Sequence, residues 1–139
     1  MSADITAFIL IDNDGSTDEP LFSNSTSTWD LSEDCRLCGC KDYKFYAAIS
    51  GVRNKSGIES LFPCRGLPPN SSEKIRARID AADPNVGWLT LTEIHSALEH
   101  MKVPIQSLSL SVRLVLRTMQ TAEEIFGQGR TRLVFEISD

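Results

Sequence analysis

Near the start of the chain Ile5, Ala7, Ile9 and Ile11 alternate with Thr6, Phe8 and Leu10. A period of two in strand-forming residues predicts a β-strand. Asp12-Asn13-Asp14-Gly15 stops it, because these residues favour tight turns over extended backbone. The same four residues lack the spacing of a calcium loop: the glycine stands two positions too early and no Glu follows at the twelfth position. From Ser16 to Asp34 the pattern lapses into Ser and Thr, with Phe22 and Trp29 as anchors, which reads as a long polar loop or insertion. Asp42 can then cap a short helix from Tyr43 to Ser50, with Gly51 as its stop. Within that helix Phe45 and Ala48, and Tyr46 and Ile49, each sit one turn apart.

The stretch from Arg53 to Asn70 is irregular, broken by Pro63, Gly66, Pro68 and Pro69. Ser71 or Ser72 caps a further helix in which Ile75 and Ile79 share a face, and Pro84 ends it. Thr90-Leu91-Thr92-Glu93 is a capping box, so a helix begins at Leu91 with Ile94, Leu98 and Met101 inward. Pro104 separates it from the longest helix, from about Ser107 to Phe126, where Leu108, Val112, Val115, Met119 and Ala122 form one apolar stripe. Gly127 and Gly129 end that helix. Arg132 to Ile137 closes the chain as a strand with Leu133, Phe135 and Ile137 on one side, in position to pair with the first. The expectation is an α+β fold: a small sheet holding the N- and C-terminal strands, packed with about four helices, in one domain over residues 1–139 with 16–34 as the polar insertion.

Length and composition agree with that reading. A chain of 139 residues, 41% hydrophobic and 24% charged, suffices for one core. No run of 18 apolar residues exists, and Met1-Ser2-Ala3-Asp4 lacks the basic start of a signal peptide, so the chain is expected to be cytoplasmic and away from membranes. The net charge of −5 is uneven: residues 1–42 carry nine acids against Arg36 and Lys41, a balance of −7, and residues 43–139 a balance of +2. Such an acidic front either mimics a polyanion or keeps a polar segment soluble. No basic stripe marks a groove for nucleic acid, so direct nucleic-acid binding is not expected.

Three sets of residues could carry chemistry. Cys35-x-x-Cys38-x-Cys40 with Cys64 supplies four thiols, the number that a structural zinc ion takes, although Cys64 stands alone where a ribbon would have a second knuckle. The alternative is reduced structural thiols. His95 and His100 lie on the far side of their helix from its apolar stripe, which suits a solvated face better than acid–base work. There is no nucleophile elbow, phosphate-binding loop or dinucleotide fingerprint, so no enzyme activity is expected. Gly51-Val52-Arg53-Asn54 and Cys64-Arg65-Gly66-Leu67-Pro68 each place an arginine beside glycine in a turn, where guanidinium and backbone N–H groups can hold an anion. Tyr46, Phe45 and Trp88 are near enough in sequence to stack on a base. The structural alternative is that these arginines tie loops to helix ends or to carboxylates.

Tyr43-Lys44-Phe45-Tyr46-Ala47-Ala48-Ile49-Ser50-Gly51-Val52-Arg53-Asn54, then Arg65-Gly66-Leu67-Pro68, then Trp88-Leu89-Thr90-Leu91-Thr92-Glu93-Ile94, then Arg132-Leu133-Val134-Phe135, resembles in its order a group of small, uncharacterised phage and prophage proteins. The resemblance covers about residues 43–94 and 130–137. The chain departs from it at Asp83–Gly87, where those proteins carry a His-Ser-His-Ser run, and in its cysteine cluster. What the resemblance implies is a phage origin, with the activity left open; small phage proteins without catalytic motifs often act against host defence, and two routes suit this composition. The first is a sponge, usually a symmetric oligomer, that sequesters a signalling nucleotide. Arg53, Asn54, Arg65 and Gly66 would hold its phosphates and Trp88 or Tyr46 its base. The second is an inhibitor that covers a host defence nuclease or effector with the acidic first 42 residues. The expected partner is thus an anionic small molecule of the nucleotide class or a host defence protein, and the expected state a homo-oligomer in the host cytoplasm.

Overall fold

The computed structural model describes residues 4–12, 18–20, 42–52, 54–55, 57–68, 73–80 and 82–138. Strand β1 (Asp4–Asp12) pairs antiparallel with the C-terminal strand β4 (Thr131–Ser138), from Asp4 against Ser138 to Ile11 against Thr131. The first and last strands therefore pair, as the sequence suggests, and together form the middle of the sheet. A three-residue β2 (Asp18–Pro20) flanks β1, and β3 (Val86–Thr90) flanks β4. The order is β2-β1-β4-β3, antiparallel at every pairing. The sequence pattern predicts neither flanking strand. β2 lies inside the segment read as a polar loop, and β3 holds a glycine and runs straight into a helix cap.

The class is α+β. The expected helices resolve, among the described residues, into three of eight residues or more and one shorter segment. They are α1 (Tyr43–Ser50), the six-residue α2 (Glu73–Arg78), α3 (Leu91–His100) and α4 (Leu110–Phe126). Helix α4 starts later than expected: a 3-10 turn covers Ile105–Ser107, and the Ser109 side chain caps α4 by accepting from the Val112 N–H. No helix among the described residues is long and apolar enough to cross a membrane.

One face of the sheet carries Ile5, Ala7 and Ile9 of β1, Leu89 of β3 and Leu133, Phe135 and Ile137 of β4. These pack with the inward sides of α1, α3 and α4 into the main core. The other face carries Phe8, Leu10, Val86 and Val134, covered by Ile79 after α2 and flanked by Leu67 and Trp88. Covering on both sides explains why Ala7-Phe8-Ile9-Leu10 and Leu133-Val134-Phe135 are buried without interruption, where a half-exposed strand would alternate.

The helix ends follow local chemistry. Asp42 Oδ1 accepts from the Phe45 N–H at 3.1 Å, and Gly51 ends α1 at φ +80°, a conformation open to glycine without a Cβ penalty. Thr90 and Glu93 form the reciprocal capping box of α3. At the other end of α3 the Lys102 N–H donates to the Glu99 carbonyl and the Val103 N–H to the Leu98 carbonyl. That is the double bond pattern of a Schellman stop. Its left-handed residue, normally glycine, is Lys102 at φ +57°.

Candidate functional site

The segment holding Arg65 and Gly66 runs beside β3. The Gly66 N–H donates to the Val86 carbonyl at 2.8 Å, and Arg65 Nε donates to the Trp88 carbonyl at 3.0 Å. Two carbonyls of β3 on the side away from β4 are satisfied in this way, which blunts a strand that would otherwise invite pairing with another chain. The guanidinium carries on to Glu93, with Nη2 to Oε1 at 2.6 Å. Glu93 Oε1 also accepts from the Thr90 N–H at 3.0 Å, so Arg65 is bonded to the capping box itself. Burial on its own pushes the Glu93 carboxyl up. Hydrogen bonds from Arg65 and from Thr90, with the Arg65 charge, outweigh it and hold the group below the usual carboxylate range.

The Arg65 guanidinium also lies 3.8 Å from the centroid of the Trp88 ring, and that of Arg132 lies 4.7 Å from it. Both distances are within cation–π range. A base stacking on the ring would have to displace guanidinium groups already in contact with it. Arg65, Gly66 and Trp88 are thus brought together, as the sequence suggested, but their bonds are spent on the fold. Tyr46 is corrected more simply. It is 2% exposed and sits edge-on to Phe45 and Phe135, with centroids 5.0 and 5.8 Å away. It is a core residue with no free face for a ligand. Arg53 lies outside the described residues.

A different site lies between α1 and the end of α3. It is a cleft of about 460 Å³, within the range of small-molecule sites. Ala47, Ala48, Met101 and Val103 line it with apolar surface, and Tyr43, Asn54, Lys44, Lys55 and Lys102 bring polar groups to it. No carboxylate is among the described residues that line it, so three ammonium groups from three separate segments raise its potential without an internal partner there. Asn54 connects this site with the sequence reading. Its Nδ2 donates to the Ile58 carbonyl at 2.6 Å, four residues on in the segment that carries Lys55.

Tyr43, Lys44, Lys55 and Lys102 were not singled out by sequence. One signal was available for Lys102: the helix after the capping box stops before Pro104 with no glycine, so its left-handed position had to fall on another residue. A non-glycine residue held there costs on the order of 1 kcal/mol, and such strained positions concentrate at functional sites.

His95 and His100 are exposed on α3. His100 Nε2 lies 2.9 Å from the Glu59 carbonyl oxygen, a contact that ties a loop to the helix end. Cys64 is half-buried and outside any disulfide. Burial, reinforced by the Asp83 charge, pushes its thiol above the ordinary value, away from the thiolate form that nucleophiles need. The expected zinc ligands Cys35, Cys38 and Cys40 lie outside the described residues, as does most of the acidic first 42. No family model, curated protein or solved structure matches the chain at a significant level.

Proposed function

We propose that the protein binds a small anionic molecule of the nucleotide class in the cleft between α1 and α3, and holds it without transforming it. The observation that carries this reading is that Lys44, Lys55 and Lys102 line one cleft together with Tyr43 and the apolar Ala47, Ala48, Met101 and Val103. Phosphates suit the ammonium groups, as point charges rather than bidentate forks. A base or other flat apolar group suits the apolar lining and the tyrosine. Taken with the resemblance to phage proteins, the ligand class is a host immune signalling nucleotide, and the protein acts as a sponge for it.

The test is incubation of the purified chain with a panel of cyclic di- and trinucleotides and cyclic ADP-ribose isomers, then removal of free ligand, heat release and chromatography. One of them is expected to be retained, and each of Lys44→Ala, Lys55→Ala and Lys102→Ala to weaken retention about tenfold, the value of one charge-assisted contact. Arg65→Ala is expected to retain the ligand. Loss of retention in Arg65→Ala with the lysine variants unaffected would return the site to the sheet edge. Recovery of every nucleotide unretained would overturn the reading and favour the inhibitor route through the acidic N-terminal surface.

A further inference from the structure

Helix α4 carries exposed apolar residues on the side away from the core. Val112, Val115, Leu116, Met119 and Ala122 are buried against the sheet, whereas Leu110, Leu114 and Ile125 are 76, 68 and 70% exposed. At 3.6 residues per turn, the second set falls within roughly 60° around the axis, nearly opposite the first. Leu110 and Leu114 stand toward one end and Ile125 at the other, roughly 22 Å apart at 1.5 Å per residue, with Arg117 and Thr121 on the same side between them. Exposed apolar residues are ordinary when scattered, but aligned on one helix face they mark a contact surface.

We propose that this face is the contact between two copies of the chain, α4 against α4, antiparallel about a two-fold axis near residues 117 and 118. The charges along its edge select this occupant. Arg113 and Glu124, both exposed, lie on the same edge of that face, within roughly 20° of each other by the helical repeat. In an antiparallel two-fold pair the same edge of both helices faces the same way with its ends reversed. Leu110 of one copy then meets Ile125 of the other, and Arg113 meets Glu124, each contact occurring twice. A parallel two-fold pair turns that edge to opposite sides of the two helices, so Arg113 and Glu124 find no partner in each other. Like charges one helical turn apart, at Arg113 and Arg117, are unfavourable on an isolated helix, and Glu124 of the other copy relieves the first of them. Arg117 meets its own counterpart near the axis, so the pairing is reversible rather than tight. The proposal is independent of the cleft, which lies on α1 and α3.

Sedimentation and light scattering over a concentration series test it with the full chain. The mass is expected to rise from 15.4 kDa to twice that value. Leu114→Glu, on an exposed position that leaves the core intact, is expected to hold the mass at one chain throughout. Arg113→Glu and Glu124→Arg should each weaken association about tenfold, and the double swap should restore it to within about threefold. Replacing the repulsive residue, Arg117→Leu, should strengthen it. A single-chain mass at every concentration, in Arg117→Leu as well as in the native chain, overturns the proposal. So does a dimer indifferent to Leu114→Glu, and a double swap that fails to restore association overturns the antiparallel arrangement.

Discussion

Arg65 donates to the Trp88 carbonyl and to Glu93 while its guanidinium lies against the Trp88 ring. A partly exposed ion pair contributes about 0.2–1 kcal/mol, an exposed cation–π contact about 0.5–1 kcal/mol, and the bond to β3 a similar amount. Arg65→Ala is therefore expected to cost about 1–2 kcal/mol of folding stability in urea denaturation at neutral pH. The difference should depend on pH with a definite sign. Glu93 is held below the ordinary value in the folded protein, so its stabilising contribution is present above the unfolded value of about 4.3 and is lost as pH falls through the lower folded value. The gap between native chain and variant should narrow below about pH 4.3. Lys102 is the opposite kind of residue, held at φ +57° among the residues that line the cleft. Lys102→Gly removes the backbone penalty and is expected to gain about 0.5–1 kcal/mol, a few degrees in Tm. If the cleft holds an anion, the same change should weaken retention about tenfold. Higher Tm with unchanged retention would separate Lys102 from the ligand.

Asp42 joins two elements far apart in sequence: Oδ1 caps α1, and Oδ2 accepts from the Ser109 N–H at 2.8 Å, just before α4. An N-cap contributes about 1 kcal/mol and the second bond, to a charged acceptor, about as much or more. Asp42→Ala should thus cost about 2–3 kcal/mol, and Asp42→Asn, which keeps one acceptor oxygen, about half as much. An Asp42→Asn variant as stable as the native chain would mean that the link to α4 contributes nothing. Only the first half of this role was legible in the sequence, because a cap bonds to a residue three positions on, whereas the bond to Ser109 spans 67 positions. The same division runs through the fold. The strands at the two ends, the α3 capping box and the α4 stripe announce themselves by local period or local hydrogen bonds. Strand β3 does not. Val86 and Trp88 point to one face and Gly87 and Leu89 to the other, and Gly87 interrupts the apolar pattern for a reason visible only in three dimensions. A Cβ there would stand 2.8 Å from Cζ of the buried Phe135 ring and 3.3 Å from the Cys64 Cα. At the sheet edge the sequence found the arginine but not the carboxylate that engages it 28 positions away. The cleft was hidden for the same reason, since its lysines come from three segments.

Across the whole molecule, the sheet face opposite the large helices is polar at both ends and apolar between. At one end Arg65 and Arg132 gather around Trp88; toward the other, Glu136 stands across from Val86 with Asp80 and Asp83 close by. Val134 of β4 lies between, buried with Phe8 and Val86. Arg132 and Glu136 are four residues apart on β4, so the alternation of a strand puts both on this face. The two ends respond to acid in opposite ways. Burial raises the Glu136 carboxyl above its ordinary value, and the charges of Asp83 and Asp80 push it the same way, against the Asp80 N–H that donates to Oε2 at 3.3 Å. A carboxyl raised in the folded state favours the fold when protonated, so that contribution is fully present below the unfolded value of about 4.3 and is lost as pH rises through the folded value. At neutral pH the ionised Glu136 works against the fold that the Arg65–Glu93 pair supports. Glu136→Gln keeps the acceptor for the Asp80 N–H and removes the charge. Its urea midpoint is expected to exceed that of the native chain at about pH 7, and the two curves to converge as pH falls toward about 4. Arg65→Ala, from the other end, should lie below the native chain at neutral pH and approach it only in acid. A Glu136→Gln variant no more stable than the native chain at neutral pH would show that burial and the charges of Asp83 and Asp80 do not disfavour this carboxylate.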